Sequence, residues 1–187
     1  MPSRLGLTLA LLFVPIAPLA HAQSAQYVSA SKCRACHLPE SKSWEQTKMS
    51  QAFELLKPGV RAEAKKAHNL DPDKDYTQDE QCVQCHTTGY GAPGGFESVE
   101  KTPNLTGVQC EACHGAGGEF TKPELMSFQN KEFKLTDVVA AGLNPKPDLT
   151  TCQTCHNDKN PFNKPFDFET RKAAGVHQQF PLKYAHE

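Results

Sequence analysis

The chain has 187 residues and carries 20 lysines and arginines against 21 aspartates and glutamates, so its formal net charge at pH 7 is −1. The charges form no polybasic run or tail, which argues against nucleic acid or anionic lipid as a partner. Apolar residues make up 38% of the chain, beside 14 prolines and 12 glycines. A chain this polar would bury too little apolar surface to form an ordinary core from side chains alone, so we expect another apolar component inside the fold.

The N-terminus has the pattern of a secretory signal peptide. Arg4 precedes an apolar run that ends in Ala-His-Ala, whose small residues suit cleavage. An uncleaved membrane anchor is the alternative, but the run is shorter than the ~20 apolar residues that span a bilayer, and two prolines interrupt it. We therefore predict that residues 1–22 are removed near Ala22. Residues 23–187 are predicted to form one exported, periplasmic domain without stable membrane insertion.

The mature chain predicts short helices joined by loops. Residues 39–59 predict a helix of about four turns, because a proline suits its first turn, Pro-Gly ends it and apolar residues recur at helical spacing. A second helix is predicted over 60–68. Residues 70–81 are polar and rich in turn residues, and an acidic cap at their end can start the next helical turn. The remaining predicted elements are a glycine-rich loop or small hairpin and two short helices, at 87–96, 131–142 and 168–180.

A five-residue pattern, Cys-x-x-Cys-His, occurs four times and uses all eight cysteines of the chain. We number its copies motifs 1 to 4 in chain order. Their residues are Cys33, Cys36 and His37; Cys82, Cys85 and His86; Cys110, Cys113 and His114; and Cys152, Cys155 and His156.

Three chemistries compete for these cysteines. Exported proteins favour disulfides, but a disulfide framework does not require a histidine after every second cysteine. Structural zinc uses cysteines two residues apart, but zinc would pair the motifs and does not need the adjacent histidine in all four. Covalent c-type haem explains every position, because two thioethers hold the porphyrin and the next imidazole reaches the iron.

We therefore predict four covalently bound c-type haems, with the four motif histidines as iron ligands. Haem is flat and apolar on both faces, so four haems in the 165 residues left after subtracting 22 from 187 supply the missing core. Strand signals are sparse. The predicted fold class is mostly α with extensive loops, a small multihaem cytochrome c fold packed around four haems.

Three segments extend beyond the motifs and carry a family resemblance. They read LDPDKDYTQDEQCVQCH at 70–86, LTGVQCEACHG at 105–115 and SWEQTKMSQAFELLKP at 43–58. They closely resemble the tetrahaem cytochrome c-554 family of nitrifying bacteria, over a span from about Val28 to about Lys183. In that family the cytochrome accepts electrons from hydroxylamine oxidoreductase. The resemblance implies an exported electron carrier that works between a donor and an acceptor redox protein.

The resemblance also implies distal iron ligands outside the motifs. Three haems have two histidine ligands in the family, and the second is five-coordinate. His177 falls where the family carries the distal ligand of the fourth haem, and Met49 stands where it carries the histidine of the third. The distal ligand of the first haem follows motif 3 in the family; here that segment has no histidine, so Met126 or no residue takes the role.

Two points stay open at this stage. His68 is close in sequence to motif 2, and as a sixth ligand it would close the second haem, although the family has no ligand there. An alternative function also follows from an open iron. A haem enzyme with His86 as proximal ligand could act on a small nitrogen species, nitric oxide or hydroxylamine. We expect the electron carrier, because the sequence supplies cofactor attachment and no other catalytic motif.

Overall fold

The computed structural model describes residues 26–174 and 176–181. The predicted signal peptide at 1–22 lies outside the described residues. Ten short helices are described, of which two are 3₁₀ helices. They are α1 (Ala30–Arg34), α2 (Leu38–Trp44), a 3₁₀ helix (Ala52–Leu56), α3 (Ala62–Ala67), α4 (Glu80–His86), a second 3₁₀ helix (Pro103–Leu105), α5 (Cys110–His114), α6 (Leu135–Ala140), α7 (Leu149–Gln153) and α8 (Phe168–Ala174).

Loops connect these helices, and the described residues contain no extended sheet. The strand-like pairing among them is one isolated antiparallel bridge between Thr87 and Thr106. The predicted class, mostly α with extensive loops, is confirmed. No helix within 26–174 or 176–181 is long and apolar enough to cross a membrane.

The single four-turn helix predicted over 39–59 is wrong. Helix α2 ends at Trp44, turns follow, and a 3₁₀ helix begins at Ala52. Side-chain hydroxyls explain the break: Thr47 Oγ1 donates to the Trp44 carbonyl at 2.7 Å, and Ser50 Oγ donates to the Thr47 carbonyl at 2.8 Å. Such local bonds compete with the i to i−4 bonds of a continuing helix. The turn also frees the Met49 carbonyl, which accepts the Val108 N–H at 3.0 Å.

Three smaller predictions are confirmed. Helix α3 lies within the predicted 60–68. The Asp79 side chain caps α4 by accepting the Gln81 N–H at 3.1 Å, which satisfies a first-turn donor. Helix α6 falls inside 131–142, and Gly142 follows it with φ of +102°, a left-handed conformation that glycine adopts without a Cβ penalty.

The buried apolar side chains cluster around motif 2. Eight of the nine in the described residues precede residue 121, and the main cluster packs on Val83 of α4. Its buried members are Phe53, Leu56, Tyr76, Val83, Phe96 and Leu105. The later part of the chain is different, since seven of the nine large apolar side chains that are exposed follow residue 127. That part therefore presents apolar surface to something other than its own described side chains.

Gly107 tests the junction between motifs 2 and 3. Its φ is +79°, and a Cβ there would lie 2.7 Å from the Ser50 carbonyl oxygen, so alanine would suffer both backbone strain and a clash. We expect Gly107→Ala to lower the free energy of unfolding by about 2–4 kcal/mol, measured by denaturant titration.

Gly91→Ala is the matched control, because Gly91 has φ of +77° but no heavy atom within 4 Å of an added Cβ. It should cost only the backbone term, about 1–2 kcal/mol. Equal losses in the two variants would contradict the close approach at Gly107.

Candidate cofactor-attachment site

Motif 1 lies against motif 3. The Cys33 and Cys110 thiols are in hydrogen-bonding contact, and this contact together with burial raises the pKa of Cys33. Helix α1, which carries Cys33, packs on α5, which begins at Cys110. In motifs that attach haem, these sulfur atoms would be the thioether sulfurs of two different cofactors. The fold thus brings together two cysteines that lie 77 positions apart in the chain.

Motif 4 lies near motif 2 and motif 3. The Cys85 thiol hydrogen-bonds Cys155, which lowers the pKa of Cys155 to about 6. Burial raises the pKa of Cys113 to about 11, and the charges of Cys152 and Cys155 contribute. The cysteines of the motifs therefore approach one another in the order 1, 3, 4, 2, which differs from the order of the motifs in the chain.

Two side chains beside Cys110 hold motif 1 in place. Gln109 is 7% exposed, and its Oε1 accepts the Ala30 N–H at 2.6 Å, while its Nε2 donates to carbonyls of the preceding turn. Glu111 is 3% exposed and accepts the N–H groups of Val28 and Ser29 at 2.9 and 2.7 Å. The start of the described chain is therefore bonded to the helix of motif 3.

A buried hydroxyl links motif 2 to motif 3. Thr88 is 0% exposed, its Oγ1 donates to the Gly107 carbonyl at 2.8 Å and it accepts the Gln109 N–H at 2.9 Å. The Gly107 N–H in turn donates to the His86 carbonyl at 3.0 Å. These bonds fix the end of α4 against the start of α5.

Backbone carbonyls orient two of the motif histidines. His86 Nδ1 lies 2.5 Å from the Ala52 carbonyl oxygen, and His114 Nδ1 lies 2.8 Å from that of Asn144. A carbonyl only accepts, so each Nδ1 carries the proton and each Nε2 is left with a lone pair, the arrangement of a metal-binding histidine. Burial lowers the pKa of both rings, which favours the neutral form that binds a metal.

The other two motif histidines have different surroundings. The His156 ring stacks on Phe166, with centroids 4.3 Å apart and planes 26° apart, and burial lowers its pKa. His37 precedes α2, and its carbonyl accepts the Ser41 N–H at 2.9 Å. Neither ring has an Nδ1 bond to a carbonyl among the described contacts.

His177 lies beside motif 3. Its ring centroid is 6.4 Å from that of His114, with planes 44° apart, and its own Nδ1 contacts the Gln178 carbonyl at 2.9 Å. Two imidazoles on one metal would have a similar separation, since two metal–nitrogen bonds of ~2 Å add to roughly 1 Å from each nitrogen to its ring centre. The ring contact favours motif 3 for His177, whereas the family resemblance implies motif 4.

The described contacts of the other three candidate ligands, Met49, Met126 and His68, do not involve the ring of a motif histidine. Met49 is half-buried in the turn between α2 and the first 3₁₀ helix, and its carbonyl bonds to the segment entering motif 3. Met126 is also half-buried, and its N–H donates to the Phe120 carbonyl at 3.0 Å. The His68 ring packs on Phe162, with centroids 4.4 Å apart. No described ring contact joins His68 to motif 2.

Sequence reasoning did not find several of the residues that build this site. Glu111 and Gln109 could have been found from the sequence. Haem attachment needs neither a charged residue between the two cysteines of motif 3 nor an amide just before them, so both residues suggest a further structural role. Ala52 and Asn144 gave none, because they act through backbone carbonyls that every residue has.

The residues present fit haem better than zinc or disulfides. All eight cysteines are described and none is in a disulfide. Within the described parts of the chain, no three His, Cys, Asp or Glu side chains converge as a metal-binding set. Haem needs no such set, because porphyrin supplies iron donors of its own. A flat apolar cofactor also has apolar side chains to cover, since several are exposed between residues 135 and 162: Leu135, Val139, Leu149 and Phe162.

Comparisons with known proteins identify the family. Residues 32–115, which contain motifs 1 to 3, match the family described as "Cytochrome c554 and c-prime". Cytochrome c-554 of Nitrosomonas europaea is 45% identical in an alignment of 163 positions that covers 81% of this chain and 66% of that protein. This chain therefore matches slightly less than two thirds of the relative's length.

The fold agrees as well. The structure of reduced cytochrome c554 from Nitrosomonas europaea superposes with a TM-score of 0.62 and 34% identity, covering 81% of this chain and 79% of that one. The prediction of covalently attached c-type haem is confirmed at the level of the family. With that identity and coverage beside the four Cys-x-x-Cys-His motifs, the chain belongs to the cytochrome c-554 family.

Proposed function

We propose that the chain is an exported tetrahaem electron carrier that works between a donor and an acceptor redox protein. The observation that carries this proposal is the arrangement of the motif cysteines: Cys33 is hydrogen-bonded to Cys110 and Cys85 to Cys155, which joins motif 1 to motif 3 and motif 2 to motif 4. Cys113 of motif 3 is within electrostatic reach of the cysteines of motif 4. Closely spaced attachment points suit electron transfer between bound groups. The four Cys-x-x-Cys pairs are proposed as the attachment residues.

When bound, each haem supplies a one-electron redox centre. The residues of this chain supply attachment, orientation and burial. The carbonyls of Ala52 and Asn144 hold the His86 and His114 rings in the tautomer that leaves Nε2 available. Phe166 packs on the fourth motif histidine, His156. We propose these three and His37 as the proximal ligands.

The resemblance to the cytochrome c-554 family implies an electron donor of the hydroxylamine oxidoreductase kind, and this donor is part of the proposal. Export is proposed on the N-terminal signal pattern, with cleavage near Ala22. A catalytic role at an open haem on motif 2 is the second candidate. One observation favours it: the His68 ring packs on Phe162, which leaves His68 away from the role of sixth ligand to that haem.

The cofactor load tests the attachment residues. The mature protein, purified from a host that matures c-type cytochromes, should keep four haems after denaturation and show no free thiol. Intact-mass spectrometry and the pyridine haemochrome assay measure both. A bare polypeptide mass would overturn the proposal, and Cys110→Ala should weaken one attachment without changing the other three.

Ligand binding and turnover at the haem proposed on motif 2 distinguish an electron carrier from an enzyme. We expect added nitric oxide to bind one haem per molecule and His68→Ala to leave the ferric spin states unchanged. A low-spin haem that becomes high-spin in His68→Ala would make His68 a ligand and close the site. Catalytic turnover of nitric oxide or hydroxylamine by the purified protein would replace the carrier by the enzyme.

The distal ligands are tested by paired variants. We propose that His177 and His114 would both bind the iron of the haem on motif 3, supported by the 6.4 Å ring separation. These two histidines would complete the protein ligands of that iron, so Met49 would not bind it. His177→Ala should change one low-spin haem in the electron paramagnetic resonance spectrum, whereas Met49→Leu should leave that signal unchanged.

The opposite result would restore the ligand set implied by the resemblance. In that case the ferric protein shows the weak near-infrared band of histidine–methionine ligation, and Met49→Leu removes it. Met126→Leu is the control for a methionine on another haem.

A further inference from the structure

Glu111 is a buried acid that haem attachment does not require. It lies between Cys110 and Cys113 on α5, and its side chain is 3% exposed. A charged residue is rarely this buried unless its environment compensates the charge. The contacts of its carboxylate therefore bear on what the residue does.

Three backbone N–H groups hold the Glu111 carboxylate. Oε1 accepts from Val28 at 2.9 Å and from Gly117 at 2.7 Å, and Oε2 accepts from Ser29 at 2.7 Å. All three partners are donors, so the arrangement matches an ionised carboxylate, which only accepts. Peptide N–H groups belong to neutral peptide units and carry only partial positive charges. They stabilise the carboxylate without cancelling its full charge, so a net negative charge remains at Glu111.

The charge acts on both neighbouring motifs. Burial first, and then the Glu111 charge, raise the pKa of Tyr27. The Glu111 charge also raises the pKa of the Cys33 thiol of motif 1, after its hydrogen bond with Cys110 and its own burial. In motif 3 the hydrogen bond with Cys33 lowers the pKa of Cys110, and the Glu111 charge acts in the opposite direction. Glu111 is thus within electrostatic reach of the sulfur atoms through which motifs 1 and 3 hold their cofactors.

We propose that the buried charge of Glu111 lowers the reduction potentials of the haems on motifs 1 and 3. The inference rests on the haem attachment proposed above. A fixed negative charge favours the iron state with the larger positive charge, which is the ferric state, and low exposure limits screening by water and salt. Glu111 is a positioning residue as well, since the same carboxylate bonds the segment 26–29 to α5.

Glu111→Gln tests the inference in the full-length, exported holoprotein. Glutamine keeps the size and one acceptor oxygen but removes the charge. A spectroscopic redox titration should show a positive shift in one or two of the four midpoint potentials, while the others stay at their wild-type values. Unchanged potentials in a variant that still holds four haems would overturn the inference.

Two control variants separate charge from structure. Gln109→Ala removes three neighbouring bonds, from the Ala30 N–H and to the Asn104 and Thr106 carbonyls, without changing the charge. Glu119→Gln removes an exposed carboxylate, paired with Lys122, from the loop after motif 3. Glu119→Gln should leave the four potentials unchanged, and Gln109→Ala should shift them by much less than Glu111→Gln does. A shift in Gln109→Ala as large as that in Glu111→Gln would assign the effect to a loosened structure and overturn the role of the charge.

A charge-adding variant covers the case in which Glu111→Gln loses haem. Gln109→Glu places a second carboxyl group at the same junction; one oxygen can still accept the Ala30 N–H, and the other replaces the nitrogen that bonds the Asn104 and Thr106 carbonyls. Because two carbonyls favour the protonated form of this carboxyl, the potentials are measured over a pH series. The same potentials should shift in the negative direction once the new carboxyl is ionised at high pH, and no shift there would overturn the inference. Pyridine haemochrome counts come first, because a wild-type protein with fewer than four haems contradicts the proposed function, whatever the potentials of the variants.

Discussion

Hydrogen bonds to backbone groups between the segments that flank the motifs are the interaction on which the rest of this structure depends. The main buried apolar cluster of the described side chains is packed on α4, and none of its members belongs to motifs 1, 3 or 4. Motif 1 is joined to motif 3 by the Ala30 N–H, which donates to Gln109 Oε1, and the segment that leads to motif 4 is joined to motif 3 by the Asn144 N–H, which donates to the His114 carbonyl. Each bond joins helices that are too short to be stable alone, so attachment and folding depend on one another.

The same bonds explain why the contact order of the motifs differs from the chain order. Motifs 2 and 3 are close in sequence and meet through Thr88, but their cysteines point to different partners, Cys155 and Cys33. Motif 4 then bridges them. A chain that holds rigid flat groups gains from this interleaving, because each group packs against segments from both halves of the protein. The polar composition is compatible with folding for that reason.

Much of the chemistry could be predicted from the sequence, but little of its spatial arrangement. The motif residues and the Asp79 cap follow from short-range patterns with a physical cause. The helix over 39–59 failed because the hydroxyls of Thr47 and Ser50 bond locally, a competition that apolar periodicity does not show. The contact between Cys33 and Cys110 could not be predicted, since it depends on the packing of segments that are far apart in the chain.

His177 shows how far this dependence extends. Its ring reaches His114 from the last described segment, and that segment is held to α2 by the Gln178 N–H, which donates to Ser43 Oγ at 2.8 Å. The surroundings of motif 3 therefore combine the start of the described chain, through Glu111, with its end, through His177. A ligand on such a segment can bind only after the distant parts of the chain have assembled.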